Sequence, residues 1–405
     1  MLPLLSSVLL LFLTLSQNVS GASNQIIQKR SSNQVYDQIF FSNVGFNGYY
    51  SPVTSLGDND TCSCEIGDNV YFSGTNSPLN EPVSVHFRGP LILHKFAYYT
   101  SDNFIINEDN SSDWTRDAYF DAASSAAENV TFLTKAGDSS ACLGKALTYA
   151  DSDGISSATS NTLLGNGTLI TSDQEYVIFS NISCSKSGFD NDCGVYRDGI
   201  PAYHGYYGTT KMFLFEFEMP TETQKNSSSF SYYDMPAIWL LNANIPRTSQ
   251  YPGSVNCSCW ASGCGEFDIF EVMNGTQKNN FYSTFHTYQG IEDLGTGIQS
   301  YGHIVRDDSN VMKGGVIFDS NGDTVVFMSN DTSFDTTVSS SNISSILKEE
   351  DEVLSATLAT ITNSYSTSST KSSKSKNFGV SGFDKLNGVW YYAVTIFTAL
   401  LNLLL

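Results

Sequence analysis

Between Gln34 and Phe334 the chain runs as short stretches of aromatic and β-branched residues, each soon ended by Gly, Asn, Asp or Pro. VYDQIFF, NVYFSG, PVSVHF, LILHKFAYY, KMFLFEFEMP, AIWLLN, GEFDIFEVM, FYSTFHTY and DTVVFMS all follow this plan. Such runs match strand lengths and leave no room for the long apolar stripe of a packed helix. Extended runs of Ala, Leu, Glu and Lys are missing as well. The expectation is an all-β fold of sandwich or jelly-roll type. With 13% aromatic residues, the chain has enough apolar surface to bury a core.

Charge narrows the partners. Lys plus Arg number 20 against 41 Asp plus Glu, a net charge of −21. Nucleic acid is excluded, because phosphate binding requires clustered positive charge.

Both ends read as addresses. Residues 1–21, MLPLLSSVLLLFLTLSQNVSG, have a short apolar run and then small residues, as in a secretory signal peptide. Residues 22–30 end in the dibasic pair Lys29-Arg30, a candidate processing site. At the other end Val389–Leu405 is apolar and follows a polar stretch with small residues. That order fits a GPI signal with attachment at Asn377, residues 378–405 being removed. The expected location is the outer face of the plasma membrane and the cell wall, with transfer of the anchored protein to wall glucan as one outcome. Eight cysteines, and ten Asn-X-Ser/Thr sites beyond residue 21, agree with secretion. Disulfides suit Cys257, Cys259 and Cys264 better than a metal, and the pairing stays open.

Along the mature chain, residues 31–100 are strand-rich, 101–165 read as a loop-rich connection, and 166–338 are strand-rich again. Residues 339–377 are rich in Ser and Thr and read as a stalk, with one short helix suggested by Ile343, Leu347, Leu354, Leu358 and Ile361.

One segment carries chemistry: Gly265-Glu266-Phe267-Asp268-Ile269-Phe270-Glu271-Val272. In a strand, Glu266 and Asp268 share a face while Phe267 and Ile269 pack behind them. Glu271 would face the wrong side unless a β-bulge inserts one residue. Three acids on one face raise at least one pKa, which suits a pair of carboxyls acting as nucleophile and proton donor. A solvated acidic strand or a calcium site uses the same residues. No cofactor or metal is expected.

GEFDIFEV resembles the E-x-D-x-x-E motif of glycoside hydrolase family 16, the concanavalin-like jelly-roll glucanases. Met235-Pro236-Ala237-Ile238-Trp239-Leu240-Leu241 is similar to that family's P-A-x-W strand, and Phe285-His286-Thr287-Tyr288 to its F-H-x-Y segment. The resemblance implies Glu266 as nucleophile, Glu271 as acid/base and Asp268 as the residue that tunes their protons. It also implies Trp239 stacking on a sugar and His286 lining the cleft. Too few residues follow the motif to complete the usual sandwich, so residues 31–100 are expected to supply the missing strands. Such a circular permutation, with the secretion and GPI signals, resembles the fungal cell-wall family of circularly permuted 1,3-β-glucanases. The implied activity is a retaining endo-β-1,3-glucanase acting on β-glucan. A transglycosylase with the same residues, and a non-catalytic wall lectin or structural mannoprotein, are the alternatives.

Overall fold

A computed structural model describes residues 35–58, 62–248, 255–348 and 353–361. The signal segment, Lys29-Arg30, Asn377 and the apolar tail lie outside the described residues. Fourteen principal strands matter here. In chain order they are β1 (Gln38–Ser42), β2 (Val83–Arg88), β3 (Leu91–Thr100), β4 (Trp114–Asp121), β5 (Thr131–Thr134), β6 (Thr148–Ala150) and β7 (Glu175–Phe179). They continue with β8 (Lys211–Glu218), β9 (Ala237–Asn242), β10 (Glu266–Glu271), β11 (Asn280–His286), β12 (Met312–Phe318), β13 (Thr324–Met328) and β14 (Val353–Thr357). One helix, α1 (Ser340–Lys348), precedes the last strand.

These strands form two sheets. One runs β6-β5-β7-β2-β9-β10-β11, and the other β4-β3-β8-β12-β13-β1-β14. Alternation along each strand sends one set of side chains between the sheets. From the first sheet come Val85, Phe87, Ile238, Leu240, Phe267 and Phe285; from the second come Phe41, Phe96, Phe213, Phe215, Phe217 and Phe318. Edge-to-face pairs such as Phe41–Phe285, with centroids 5.0 Å apart, fill this layer.

The N-terminal strands sit deep in both sheets. β2 lies between β7 and β9, and β3 lies between β4 and β8. The strands between Gln38 and Thr100 thus belong to both sheets.

Two boundaries differ from the sequence expectation. The stretch 101–165 is not a connecting loop, because it contributes β4 to one sheet and β5 and β6 to the other. β5 and β6 are only four and three residues long and are separated by Ser-, Ala- and Gly-containing turns, so the periodic signal there is weak. The stalk does not begin at Ser339 either. Ile343, Ile346 and Leu347 of α1 are buried on the outer face of the second sheet with Trp114, Ile317 and Phe327. The Gln38 side chain donates to the Leu347 carbonyl at 3.0 Å, satisfying one end group of the helix. Leu354 and Leu358 belong to β14 and the residues after it, with β14 parallel to β1. Truncating Leu347 to Ala should cost about 2–5 kcal/mol, as a buried leucine does and a stalk residue would not. Urea unfolding monitored by Trp fluorescence measures it.

Candidate active site

The outer face of the first sheet is a cleft floor, and pairing register fixes what stands on it. Arg88 on β2 lies opposite Ala237 on β9, which lies opposite Glu271 on β10. The next row is His86, Trp239 and Asp268. On β11, His286 stands opposite Glu266.

The expected bulge is present. Ile238 pairs with Phe270 but Trp239 pairs with Asp268, so Ile269 is the extra residue. Ile269 and Phe270 both enter the core, and Glu271 returns to the face that carries Glu266 and Asp268. Gly265 has a φ of +103°, in the left-handed region that glycine tolerates, and it turns the chain into this strand. Just upstream, Cys259 bonds to Cys264 and Cys257 bonds to Cys64. These bridges clamp the loop before β10, one of them to the N-terminal segment. Cys62–Cys142 and Cys184–Cys193 complete the set among the described residues.

Glu266, Asp268, Glu271 and His286 line a cleft of about 460 Å³, together with Arg88 and Tyr232. The Trp260 indole donates to Glu266 Oε2 at 2.5 Å. His286 Nε2 donates to Asp268 Oδ2 at 2.9 Å, and its Nδ1 faces the Leu294 carbonyl oxygen. Both ring nitrogens thus face acceptors, which suits an imidazolium. Burial alone would lower the His286 pKa, but the hydrogen bond and charge of Asp268, with Glu266 beyond, outweigh it and lift it to about 10.

Both glutamates are held above the usual carboxylate range, first by burial and then by the charge of Asp268. Opposing influences reach each one. The His286 cation and the Trp260 N–H favour charge on Glu266. Arg88 Nη2, 3.0 Å from Glu271 Oε1, favours charge there. Burial and Asp268 thus favour a retained proton on each glutamate, while His286, Trp260 and Arg88 favour charge, and an acid/base carboxyl must reach both states.

Trp239 stands on the cleft face but is largely covered. Its ring is 4% exposed and His86 stacks on it, with centroids 5.1 Å apart and planes 26° apart. It still lines the cleft, between Arg88 and Asp268. The exposed aromatic at the cleft is Tyr232, 45% accessible, with the Arg88 guanidinium 4.3 Å from its ring centre. Sequence reasoning missed Arg88, Tyr232 and Trp260. A signal for Arg88 existed, since Ser84, His86 and Arg88 alternate with Val83, Val85 and Phe87 and so mark a polar face on a buried strand.

Comparison with known proteins agrees with this architecture. The family described as cell wall protein YJL171C/Tos1, C-terminal, matches residues 112–346, and its N-terminal counterpart matches residues 37–101. A Saccharomyces cerevisiae protein named probable circularly permuted 1,3-beta-glucanase YJL171C is 58% identical, over 93% of this chain and 95% of its own. A Candida albicans protein named probable circularly permuted 1,3-beta-glucanase PGA52 is also 58% identical, over 85% of this chain and 90% of its own. A second Saccharomyces cerevisiae relative, named probable circularly permuted 1,3-beta-glucanase TOS1, is 32% identical over 75% of this chain and 88% of its own. No solved structure gives a significant match. At this identity and coverage, spanning both halves of the sandwich, the chain belongs to the YJL171C/Tos1 family of cell wall proteins.

Proposed function

We propose that the chain is an endo-β-1,3-glucanase of the cell wall that works by a retaining mechanism. The observation that carries this reading is the bulge at Ile269, which gathers Glu266, Asp268 and Glu271 on one cleft face. The names of its relatives supply the substrate class.

In the first half-reaction the Glu266 carboxylate attacks the anomeric carbon. The glycosidic C–O bond breaks, and Glu271 gives its proton to the departing oxygen. In the second half, Glu271 as carboxylate takes a proton from water, whose oxygen attacks the same carbon and frees Glu266. Glu271 must hold a proton in one half and lack it in the other. Burial and Asp268 favour the first state, and Arg88 favours the second. Asp268, tied to His286, supplies charge to both glutamates without reacting.

Incubating the secreted protein with linear β-1,3-glucan oligosaccharides tests the activity. Shorter products are expected. Longer ones would identify a transglycosylase, and unchanged substrate a lectin. Proton NMR of the first-formed product should show the β-anomer, and an α-anomer would exclude a glycosyl-Glu266 intermediate.

The sequence pattern also supports a GPI anchor at Asn377 that holds the enzyme at the outer membrane face before transfer to wall glucan. Phosphatidylinositol-specific phospholipase should release membrane-bound protein. Peptides from Val389–Leu405 in the mature protein would rule the anchor out.

A further inference from the structure

The N-terminal segment contributes more than strands. Arg88 ends β2, two strands away from Glu271, and neighbouring strands are about 4.8 Å apart. An arginine can span that distance only if the residue between them is small, and the residue between them is Ala237. The guanidinium is held at three points. Nε donates to the Met235 carbonyl at 2.9 Å, Nη2 donates to Glu271 Oε1 at 3.0 Å, and the group lies over Tyr232. The side chain of Arg88 is 8% exposed and that of Glu271 is 18% exposed, so solvent screens the pair weakly.

We propose that Arg88 is a positioning residue for the acid/base carboxyl: reaching over Ala237, it fixes the direction of Glu271 and sets the pH at which Glu271 releases its proton. This rests on the glycosidase reading of Glu271. It makes the N-terminal strand part of the chemistry, and it gives the alanine of the P-A-x-W strand a reason to be small.

The charges around Glu271 make the sign definite. On its own strand, Asp268 and Glu266 raise its pKa; from β2, Arg88 lowers it; from β11, His286 lowers it. Tyr282 on β11, directly opposite, donates its hydroxyl to Gln277. Lys135, just after β5, and Glu175 on β7 pair with each other at 2.8 Å. On β9 the neighbours Ala237 and Trp239 carry no charge. Arg88 is thus the nearest cation and the one that hydrogen-bonds the carboxyl. Removing it must raise the Glu271 pKa, so the acid stays protonated to higher pH.

The test is the pH profile of kcat/KM on a β-1,3-glucan oligosaccharide, whose basic limb reports the free enzyme's acid. In Arg88→Met that limb should move up by about one pH unit. Arg88→Lys, which keeps the charge but loses the fork, should leave the limb nearer its wild-type position at reduced kcat. Ala237→Leu, with Arg88 intact, should shift the limb as Arg88→Met does, because the bulk severs the pair. A fall in rate that is even across pH, with the limb unmoved in Arg88→Met, overturns the proposal. A second measurement needs no turnover. Glu271 can be titrated by carboxyl ¹³C NMR in a Glu266→Gln chain, with its signal assigned through Glu271→Gln. Adding Arg88→Met should raise its midpoint, and an unchanged midpoint overturns the proposal. If the glucan is not cleaved at all, or if Glu271→Gln leaves the basic limb in place, the glycosidase reading fails, while the titration still decides the pairing.

Discussion

Glu266→Gln should lower β-1,3-glucan turnover by at least about 10⁴-fold and leave folding and glucan binding intact. The amide keeps shape and volume, and its oxygen can still accept from Trp260, 2.5 Å from Oε2 in the wild-type site. It cannot form the bond to the anomeric carbon. Stability should not fall. Glu266 is 8% exposed and its carboxyl is held high by burial, so a neutral group is easier to bury there. Kinetics with soluble glucan and a thermal melt on the same sample separate the two effects.

The neighbouring substitutions should be graded. Glu271→Gln removes the proton donor, so natural glucans should react slowly while substrates with a good leaving group still form the glycosyl-enzyme. Asp268→Asn should cost less, but it carries a pH signature. Asp268 is the charge that, after burial, holds both glutamates high. Its loss should move the pH optimum toward acid. Full activity in Glu266→Gln would end the catalytic assignment and return the chain to the lectin class.

How much of this was legible in the sequence depended on how local the signal was. The β-bulge followed from counting, because Glu271 sits five residues after Glu266 and period two allows only even steps. The all-β sandwich class followed from strand density, and the expectation that residues 31–100 supply strands came with the resemblance to family 16 glucanases, whose usual length after the motif this chain lacks. What failed was long-range or compositionally masked. The core helix α1 is SSNISSILK, and its serines suggested a stalk while Ile343, Ile346 and Leu347 carried the burial. Trp239 was placed on the correct face. Nothing in its own strand reveals that His86, more than a hundred residues earlier, covers its ring. Arg88 was hidden for the same reason: its partner is two strands away in space and 183 residues away in sequence.

That separation makes the second large effect a matter of topology. A chain that starts near Gly167 loses β1 to β6, among them β2 and β3 from the interior of both sheets. Removal of β2 leaves β7 and β9 with unpaired ladders facing each other, and removal of β3 strips one edge of β8. Val83, Val85, Phe87, Leu91, Leu93, Phe96 and Tyr98 leave the core with them. At roughly 1.5–3 kcal/mol per buried side chain, these seven alone represent about 10–20 kcal/mol. A domain's whole stability is about 5–15 kcal/mol. The truncated chain should therefore be insoluble or, if recovered, show no cooperative melt and bind dye as an exposed core does. It would also lack Arg88, so refolding around the remaining strands could not restore the same site. A truncated chain that melts cooperatively and binds glucan would make residues 34–100 a separate module and remove the case for permutation.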